Sequence, residues 1–151
     1  MPVIQKHIVA PYTPHQIYTL VANVEHYPEF LKWCQRSTSS PLSENEVAAT
    51  LWIAYLGMYH PFTTKNTLKN DRSILMKLID GPFRFLEGEW HFKSLPKGCD
   101  ITFELAYEFS TPWFSMLLSP IFHSIANTLV AAFIEEAHQL YGKSVNESAK
   151  K

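Results

Sequence analysis

A period-two side-chain pattern on both sides of one turn constrains the fold of this chain more than any other feature. The turn comprises residues 80–82 (Asp-Gly-Pro), in which glycine tolerates a positive φ and proline lacks an N–H donor. Apolar side chains or glycine occupy alternate positions before it (74, 76, 78) and after it (86, 88, 90, 92). The polar residues Glu87, Glu89 and His91 fall in between. This period of two predicts an antiparallel hairpin with one apolar and one solvated face.

The same period recurs in two other stretches. Residues 99–110 alternate without a break after a Lys-Gly turn, and residues 47–55 alternate after a polar turn. Two further strands are predicted at residues 3–9 and 60–68. Several such strands separated by turn signals indicate an antiparallel sheet.

Two short helices are predicted near the N-terminus. Thr13 has the N-cap position, Pro14 the first helical position and Gln16 the capping-box position of the first helix. Residues 27–31 (Tyr-Pro-Glu-Phe-Leu) are predicted to form a second helical turn.

Apolar residues follow helical spacing in the C-terminal third of the chain. We expect a helix that begins at Pro120, with Ser119 as N-cap, and that ends before Gly142. Such a helix needs an apolar surface, which the inner faces of the strands supply. The sequence therefore predicts an α+β helix-grip fold, in which a curved antiparallel sheet wraps around a long C-terminal helix. The apolar positions of that helix are Phe122, Ile125, Ala126, Leu129, Val130, Phe133, Ala137 and Leu140.

Length and composition indicate one soluble domain. The chain has 151 residues, 46% of them hydrophobic, and we expect a domain over residues 1–142 followed by a polar, disordered tail at 143–151. A net charge of −1 gives no general electrostatic reason to expect nucleic acid, and no DNA partner is expected. Two cysteines suit a reducing compartment. With no signal sequence and no uninterrupted apolar stretch of about 18 residues, a cytoplasmic location is expected.

Short segments along the chain match a known family in the expected order. The chain resembles the coenzyme Q-binding / ribosome association toxin RatA family, a branch of the START-like polyketide cyclase and lipid transport superfamily. The resemblance covers residues 2–142 and implies the START-like helix-grip fold. Besides the hairpin at 78–92, the matching segments are 11–14 (Pro-Tyr-Thr-Pro), 27–31, 62–65 (Phe-Thr-Thr-Lys), 98–99 (Gly-Cys), 109–112 (Phe-Ser-Thr-Pro), 120–122 (Pro-Ile-Phe) and 137–142.

The interior has two interpretations. Aromatic residues at these spacings are typical of a packed core, whereas the family resemblance implies an apolar tunnel between helix and sheet. A tunnel would suit a non-enzymatic carrier of ubiquinone or a similar prenyl lipid that supports respiration, because each buried CH₂ contributes about 0.8 kcal/mol. No cofactor is expected besides ubiquinone as a bound ligand. The predicted tunnel residues are Phe30, Leu31, Ile53, Phe62, Leu78, Leu86, Trp90, Phe92, Phe103, Phe109, Phe114, Leu117, Phe122, Ile125, Leu129 and Phe133.

The resemblance also implies an alternative function, as a toxin-like factor that binds the large ribosomal subunit and blocks subunit joining. RNA binding requires basic residues near stacking aromatics. Lys65, Lys69, Arg72 and Lys77 are the candidate contacts, although they also fit the scattered charge of an ordinary surface.

Residues 112–120 pack large apolar side chains between two prolines. They fit either a buried turn before the helix or a lip at which Trp113 and Phe114 touch a membrane transiently.

No catalytic or metal-binding motif stands out. The chain has no His-Glu-x-x-His, Cys-x-x-Cys or Gly-x-Ser-x-Gly pattern, and its seven histidines are scattered. Glu87, Glu89 and His91 are expected on a solvated face, and Cys34 is expected to be a small buried hydrophobe rather than a nucleophile. We therefore predict a binding protein rather than an enzyme.

Overall fold

In the part of the chain that the structure describes, the fold consists of seven strands, two α-helices and one 3-10 helix. The computed structural model describes residues 3–55 and 57–142 in full and residues 143–150 by their backbone. The predicted disordered tail at 143–151 lies outside the residues described in full. In chain order the elements are β1 (Val3–Ala10), α1 (Pro14–Ala22), the 3-10 helix (Val24–Glu29), β2 (Cys34–Ser43), β3 (Glu46–Tyr55), β4 (Met58–Lys69), β5 (Ser73–Asp80), β6 (Phe83–Leu95), β7 (Gly98–Phe109) and α2 (Pro112–Lys150).

The strands form one antiparallel sheet in the order β1-β7-β6-β5-β4-β3-β2. The predicted turn between β5 and β6 is present, and Asp80 Oδ1 accepts a hydrogen bond from the Gly81 N–H at 2.9 Å. Gly81 has a φ of 145°, and a Cβ there would lie 2.6 Å from the Phe62 Cβ. Only glycine therefore fits between this turn and β4.

The alternation predicted for β5, β6 and β7 is confirmed. Leu86, Trp90 and Phe92 are buried, while the glutamates and the histidine between them are exposed. A β-bulge between Phe83 and Phe85 inserts an extra residue at the start of β6. The inward and outward positions before the bulge are therefore exchanged, and Phe83 is also buried.

Strand β2 lacks the apolar residues by which the sequence predicts the other strands. Its sequence, CQRSTSSPLS, is polar because β2 is an edge strand whose side chains are mostly exposed. Pro41 is tolerated there because an edge strand has one side that needs no donor.

Helix α2 starts eight residues earlier than the sequence predicts. Its first turn contains Pro112, and Thr111 Oγ1 accepts a hydrogen bond from the Phe114 N–H at 3.1 Å. The prediction of Ser119 as N-cap is therefore wrong, and Pro120 lies inside the helix. Leu118 and Phe122 are both buried, so one apolar face runs continuously past the proline.

Gly142 also has a different role from the one predicted. It lies within α2 rather than after its C-terminus. A Cβ at this position would lie 2.8 Å from Nδ1 of His138, one turn earlier, so the glycine leaves room for that imidazole ring.

Near the N-terminus, the capping box of α1 is confirmed. Thr13 Oγ1 accepts from the Gln16 N–H at 3.1 Å, and Gln16 Oε1 accepts from the Thr13 N–H at 2.9 Å. The second helical turn begins earlier than predicted, as the 3-10 helix Val24–Glu29. Helix α2 packs against α1, β1 and β7, which leaves a space on its other side, towards β3, β4 and β5.

Candidate functional site

An internal cavity of about 70 Å³ lies between α2 and the inner face of the sheet. The 3-10 helix and the segment before β2 close one side of it. The lining is almost wholly apolar, with two polar residues from β4. The lining residues are Val24, Tyr27, Trp33, Ala49, Leu51, Phe62, Thr64, Asn66, Met76, Leu86, Trp90, Phe103, Leu105, Phe122, Ile125, Ala126 and Leu129.

The cavity exists because β3 and β4 place small or polar side chains on the inner face. Ala49 on β3 and Thr64 and Asn66 on β4 are buried at inward positions, where the neighbouring strands carry aromatic or aliphatic side chains. Smaller side chains leave volume that the long side chains of α2 do not fill.

Thr64 and Asn66 form the polar end of the cavity. The Thr64 hydroxyl donates a hydrogen bond to Asn66 Oδ1 at 2.6 Å, and both residues are at least 94% buried. Asn66 accepts this hydrogen bond through Oδ1, and its side chain lines the cavity. An amide N–H₂ at this position can donate a hydrogen bond to an oxygen atom of a molecule in the cavity.

Burial favours the neutral forms of two ionisable groups, Tyr27 in the cavity lining and Cys34 at the start of β2. Burial raises the pKa of the Tyr27 hydroxyl, which donates to the Val21 carbonyl at 2.5 Å. Burial also raises the pKa of the Cys34 thiol to about 11, which opposes formation of a nucleophilic thiolate. Cys34 is buried, as predicted. Within the described residues, no three His, Cys, Asp or Glu side chains are placed to hold a metal ion.

The structure brings seven of the predicted tunnel residues to the cavity. These are Phe62, Leu86, Trp90, Phe103, Phe122, Ile125 and Leu129. The other nine do not line it: Phe30, Leu31, Ile53, Leu78, Phe92, Phe109, Phe114, Leu117 and Phe133 are packed in or against the core.

Sequence reasoning missed the polar end of the cavity. Thr64 and Asn66 stand at the inward positions of β4, two and four residues after Phe62. A polar residue at an inward position of an alternating strand was the available signal.

The cavity is far smaller than a lipid site. Pockets that hold drug-sized ligands have volumes of about 300–1,000 Å³. Among the residues that the structure describes, the space under α2 is therefore largely filled, and a prenyl lipid would enter only if lining side chains moved. Among the lining side chains, those of Trp33, Leu51, Met76 and Leu129 are partly rather than fully buried.

The predicted basic patch divides into two pairs. Lys65 lies 3.5 Å from Glu46, and Lys77 lies 3.9 Å from Glu87, both on the outer face of the sheet. Lys69 and Arg72 are exposed at the turn between β4 and β5.

The start of α2 is solvent-exposed rather than a buried turn. Trp113 is 61% and Met116 78% exposed, while Phe114 is half-buried. Residues 112–142 also have the length and apolar composition of a membrane-spanning helix. One face of this helix, with Phe122 and Val130, packs against the sheet, and core helices of globular domains share this composition.

Comparison with known proteins agrees with this architecture. The family model for polyketide cyclase / dehydrase and lipid transport proteins matches residues 10–134. The ribosome association toxin RatA of Pseudomonas aeruginosa is 41% identical over 140 residues, which cover 92% of this chain and 97% of that protein. The mitochondrial coenzyme Q-binding protein COQ10 homolog B of Xenopus laevis is 26% identical, over 89% of this chain and 57% of that protein.

Two solved structures have the same fold. The 18 kDa protein CC1736 from Caulobacter crescentus superposes with a TM-score of 0.72 at 27% identity, over 94% of this chain and 99% of that chain. The Zhui aromatase/cyclase from a Streptomyces species superposes with a TM-score of 0.74 at 12% identity, over 91% and 94% of the two chains. With the match over residues 10–134 and the 41% identical relative, the chain belongs to the polyketide cyclase / dehydrase and lipid transport family, in the group that includes RatA.

Proposed function

We propose that this chain associates with the ribosome, binds the large subunit and blocks subunit joining. The observation that carries the proposal is the similarity to the ribosome association toxin RatA, which spans nearly the whole length of both chains. A largely filled interior supports it, because the protein then acts through its surface and not as a container. This role requires no catalytic group and places the protein in the cytoplasm.

Sedimentation with ribosomes tests the proposal. We expect the purified full chain to sediment with isolated bacterial large subunits and not with small subunits. In a mixture of both subunits, added protein should lower the 70S peak and raise the two subunit peaks. Binding through phosphate contacts weakens steeply with salt, so the fraction bound at 50 mM salt should fall by 200 mM. Absence of sedimentation with either subunit at 50 mM salt would contradict the proposal.

A second function, binding of an apolar ligand that carries an oxygen acceptor, is favoured by the polar end of the cavity. An apolar ligand body would contact Trp90, Phe122 and Leu129, and its oxygen would accept from the Asn66 amide. Ubiquinone and related prenyl quinones have this chemistry, and COQ10 homolog B is named for coenzyme Q binding. The exposed Trp113 and Met116 would offer such a carrier a transient membrane contact.

Ubiquinone with one isoprene unit is a suitable probe for the second function. We expect it to quench tryptophan fluorescence saturably and to shift the side-chain amide resonances of Asn66 in ¹H–¹⁵N spectra. Asn66→Leu keeps a similar volume and should weaken binding about tenfold, whereas Thr67→Val, on the outer face of the same strand, should not change it. An unshifted amide, or equal binding by both variants, would contradict ligand binding at this site.

A further inference from the structure

We propose that the outer face of β2, β3 and β4 is the surface that contacts ribosomal RNA, through base stacking on Arg36, Trp52 and Tyr59. The inference rests on the proposed ribosome association and names the surface and the partner's chemistry. We call this surface the β2–β4 outer face. It is defined by Arg36, Thr50, Trp52, Tyr59, Thr63 and Lys65.

Strand register places these side chains on one face. Arg36 pairs with Trp52, which pairs in turn with Pro61, and directly paired residues of antiparallel strands point to the same side. Tyr59 lies two residues before Pro61 on β4 and so points the same way as Trp52. The Thr50 and Thr63 hydroxyls are hydrogen-bonded to each other at 2.7 Å across β3 and β4.

Charge divides the sheet into two unlike halves. Strands β6 and β7 carry five acidic residues and only two basic ones, Arg84 and Lys93. Strands β2, β3 and β4 carry three basic residues, and their single acidic residue, Glu46, is paired with Lys65. The net charge of −1 for the whole chain conceals this asymmetry. A polyanion would therefore approach the β2–β4 half and avoid the β6–β7 half.

Arg36 and Trp52 form a platform suited to a nucleobase. The guanidinium carbon of Arg36 lies 4.8 Å from the centre of the Trp52 ring, which is a cation–π arrangement. Arg36 is exposed, so its guanidinium is accessible from solvent beside the ring. Unpaired bases of RNA loops stack on arginine planes and aromatic rings. Tyr59, 58% exposed on the same face, provides a second ring.

Polar groups beside this platform suit the RNA backbone. The Thr50 and Thr63 hydroxyls lie in the next row of the sheet, and Lys65 follows them on β4 with 44% of its side chain exposed. Hydroxyls and lysines contact phosphate and ribose oxygens, which position the nucleic acid. On β3, the outward positions directly opposite Lys65 and Tyr59 are alanines, Ala48 and Ala54, which leave both longer side chains accessible on this face.

Affinity measurements with surface variants test this assignment. The probes are isolated bacterial large subunits and protein-free large-subunit ribosomal RNA, titrated with the fluorescently labelled full chain. We expect Arg36→Glu to weaken binding at least tenfold, because it removes the stacking guanidinium and places a negative charge opposite the RNA. Tyr59→Ala should weaken binding about five- to 150-fold through lost stacking, and Tyr59→Phe should restore it. Lys93→Glu is the matched charge reversal on β6 and should bind within twofold of the wild type. Unchanged thermal melting shows that the variants are folded.

The possible results distinguish a wrong assignment of the binding surface from a wrong proposal for the function. If the wild type binds large subunits and both Arg36→Glu and Tyr59→Ala bind equally well, the surface is wrong while ribosome association stands. If the variants are impaired on subunits but the wild type ignores protein-free RNA, the partner is a ribosomal protein and the RNA assignment is overturned. If the wild type binds neither probe, the proposed function fails as well.

Discussion

The two sides of the interior beneath α2 differ in how completely they are packed. On one side, Phe83, Tyr107, Phe109 and Phe122 form an aromatic cluster with ring centres as close as 4.7 Å. On the other side, Ala49, Thr64 and Asn66 border the cavity. Both sides have the same alternating strand pattern, so the pattern decides which face is buried and residue size decides whether that face is filled.

The two sides therefore serve different purposes. The aromatic cluster fixes α2 against β6 and β7, while the cavity side keeps a small volume and a polar donor that packing alone does not require. Substitutions on each side test this difference in packing. Removing side-chain atoms should lower the free energy of unfolding more in the aromatic cluster than on the cavity side.

The largest effect is expected in the aromatic cluster. Phe83→Ala should lower the free energy of unfolding by about 3–5 kcal/mol, because it removes a buried ring that contacts Phe62, Phe109 and Phe122. Phe85→Ala is the matched control, since Phe85 is only half-buried and lies beyond the bulge. Urea denaturation measures both values. Similar losses for the two variants would show that the cluster is not the tightly packed side.

A smaller effect is expected at the polar end of the cavity. Thr64→Val should cost about 1–3 kcal/mol, because Asn66 Oδ1 loses its hydrogen-bond donor inside the protein. Adding Asn66→Leu should recover most of that loss, since two apolar partners leave no unpaired polar group. Urea denaturation of the single and double variants forms a double-mutant cycle. Additive losses would show that the two side chains are not coupled.

Much of this fold could be predicted from the sequence, and the exceptions have physical causes. The hairpin at Gly81 and the capping box at Thr13 depend on local rules that tertiary contacts did not override. The start of α2 was missed because Pro120 matches an N-terminal signal, yet the buried face that includes Leu118 continues through it. Strand β2 was missed because an edge strand need not alternate.

The candidate site was less predictable than the fold. Phe92 and Phe133 face inward as their spacing predicts, but which inward residues border empty space depends on how α2 is positioned over the sheet. The pairing of Arg36 with Trp52 depends on the register of β2, which the sequence pattern does not specify. Periodicity thus predicts a residue's face and not its neighbours across the sheet.

A methyl group added at Gly88 should be tolerated because it points towards the cavity side. Its Cβ would lie 2.4 Å from Met76 Cε and 3.2 Å from Leu105 Cδ1, and both residues line the cavity and can shift into it. We expect Gly88→Ala to change the free energy of unfolding by about 1 kcal/mol or less, partly because alanine restricts the unfolded chain. Gly81→Ala should cost more, since its φ is 145° and the Phe62 Cβ is 2.6 Å away. Equal losses in thermal melts would contradict the presence of free volume near Met76.

The smallest effect is expected at the contacts between His26 and two glutamates on the cavity side. His26, on the 3-10 helix that closes the cavity side, contacts Glu29 at 2.5 Å and Glu136 of α2 at 2.7 Å. The hydrogen bond that the His26 ring donates to Glu136 raises the pKa of His26 above its usual 6.5. Burial opposes this shift, and the hydrogen bond donated to Glu29 adds to it. Because the folded state holds the proton more tightly, this stabilisation is fully present below pH 6.5 and is lost as the pH rises through the raised pKa. We expect hydrogen exchange in the 3-10 helix to increase over this range relative to β7, beyond the intrinsic change in exchange rate. Glu136→Gln should weaken this pH dependence, and an equal response of both regions in the wild type would show that His26 does not hold the cavity side closed.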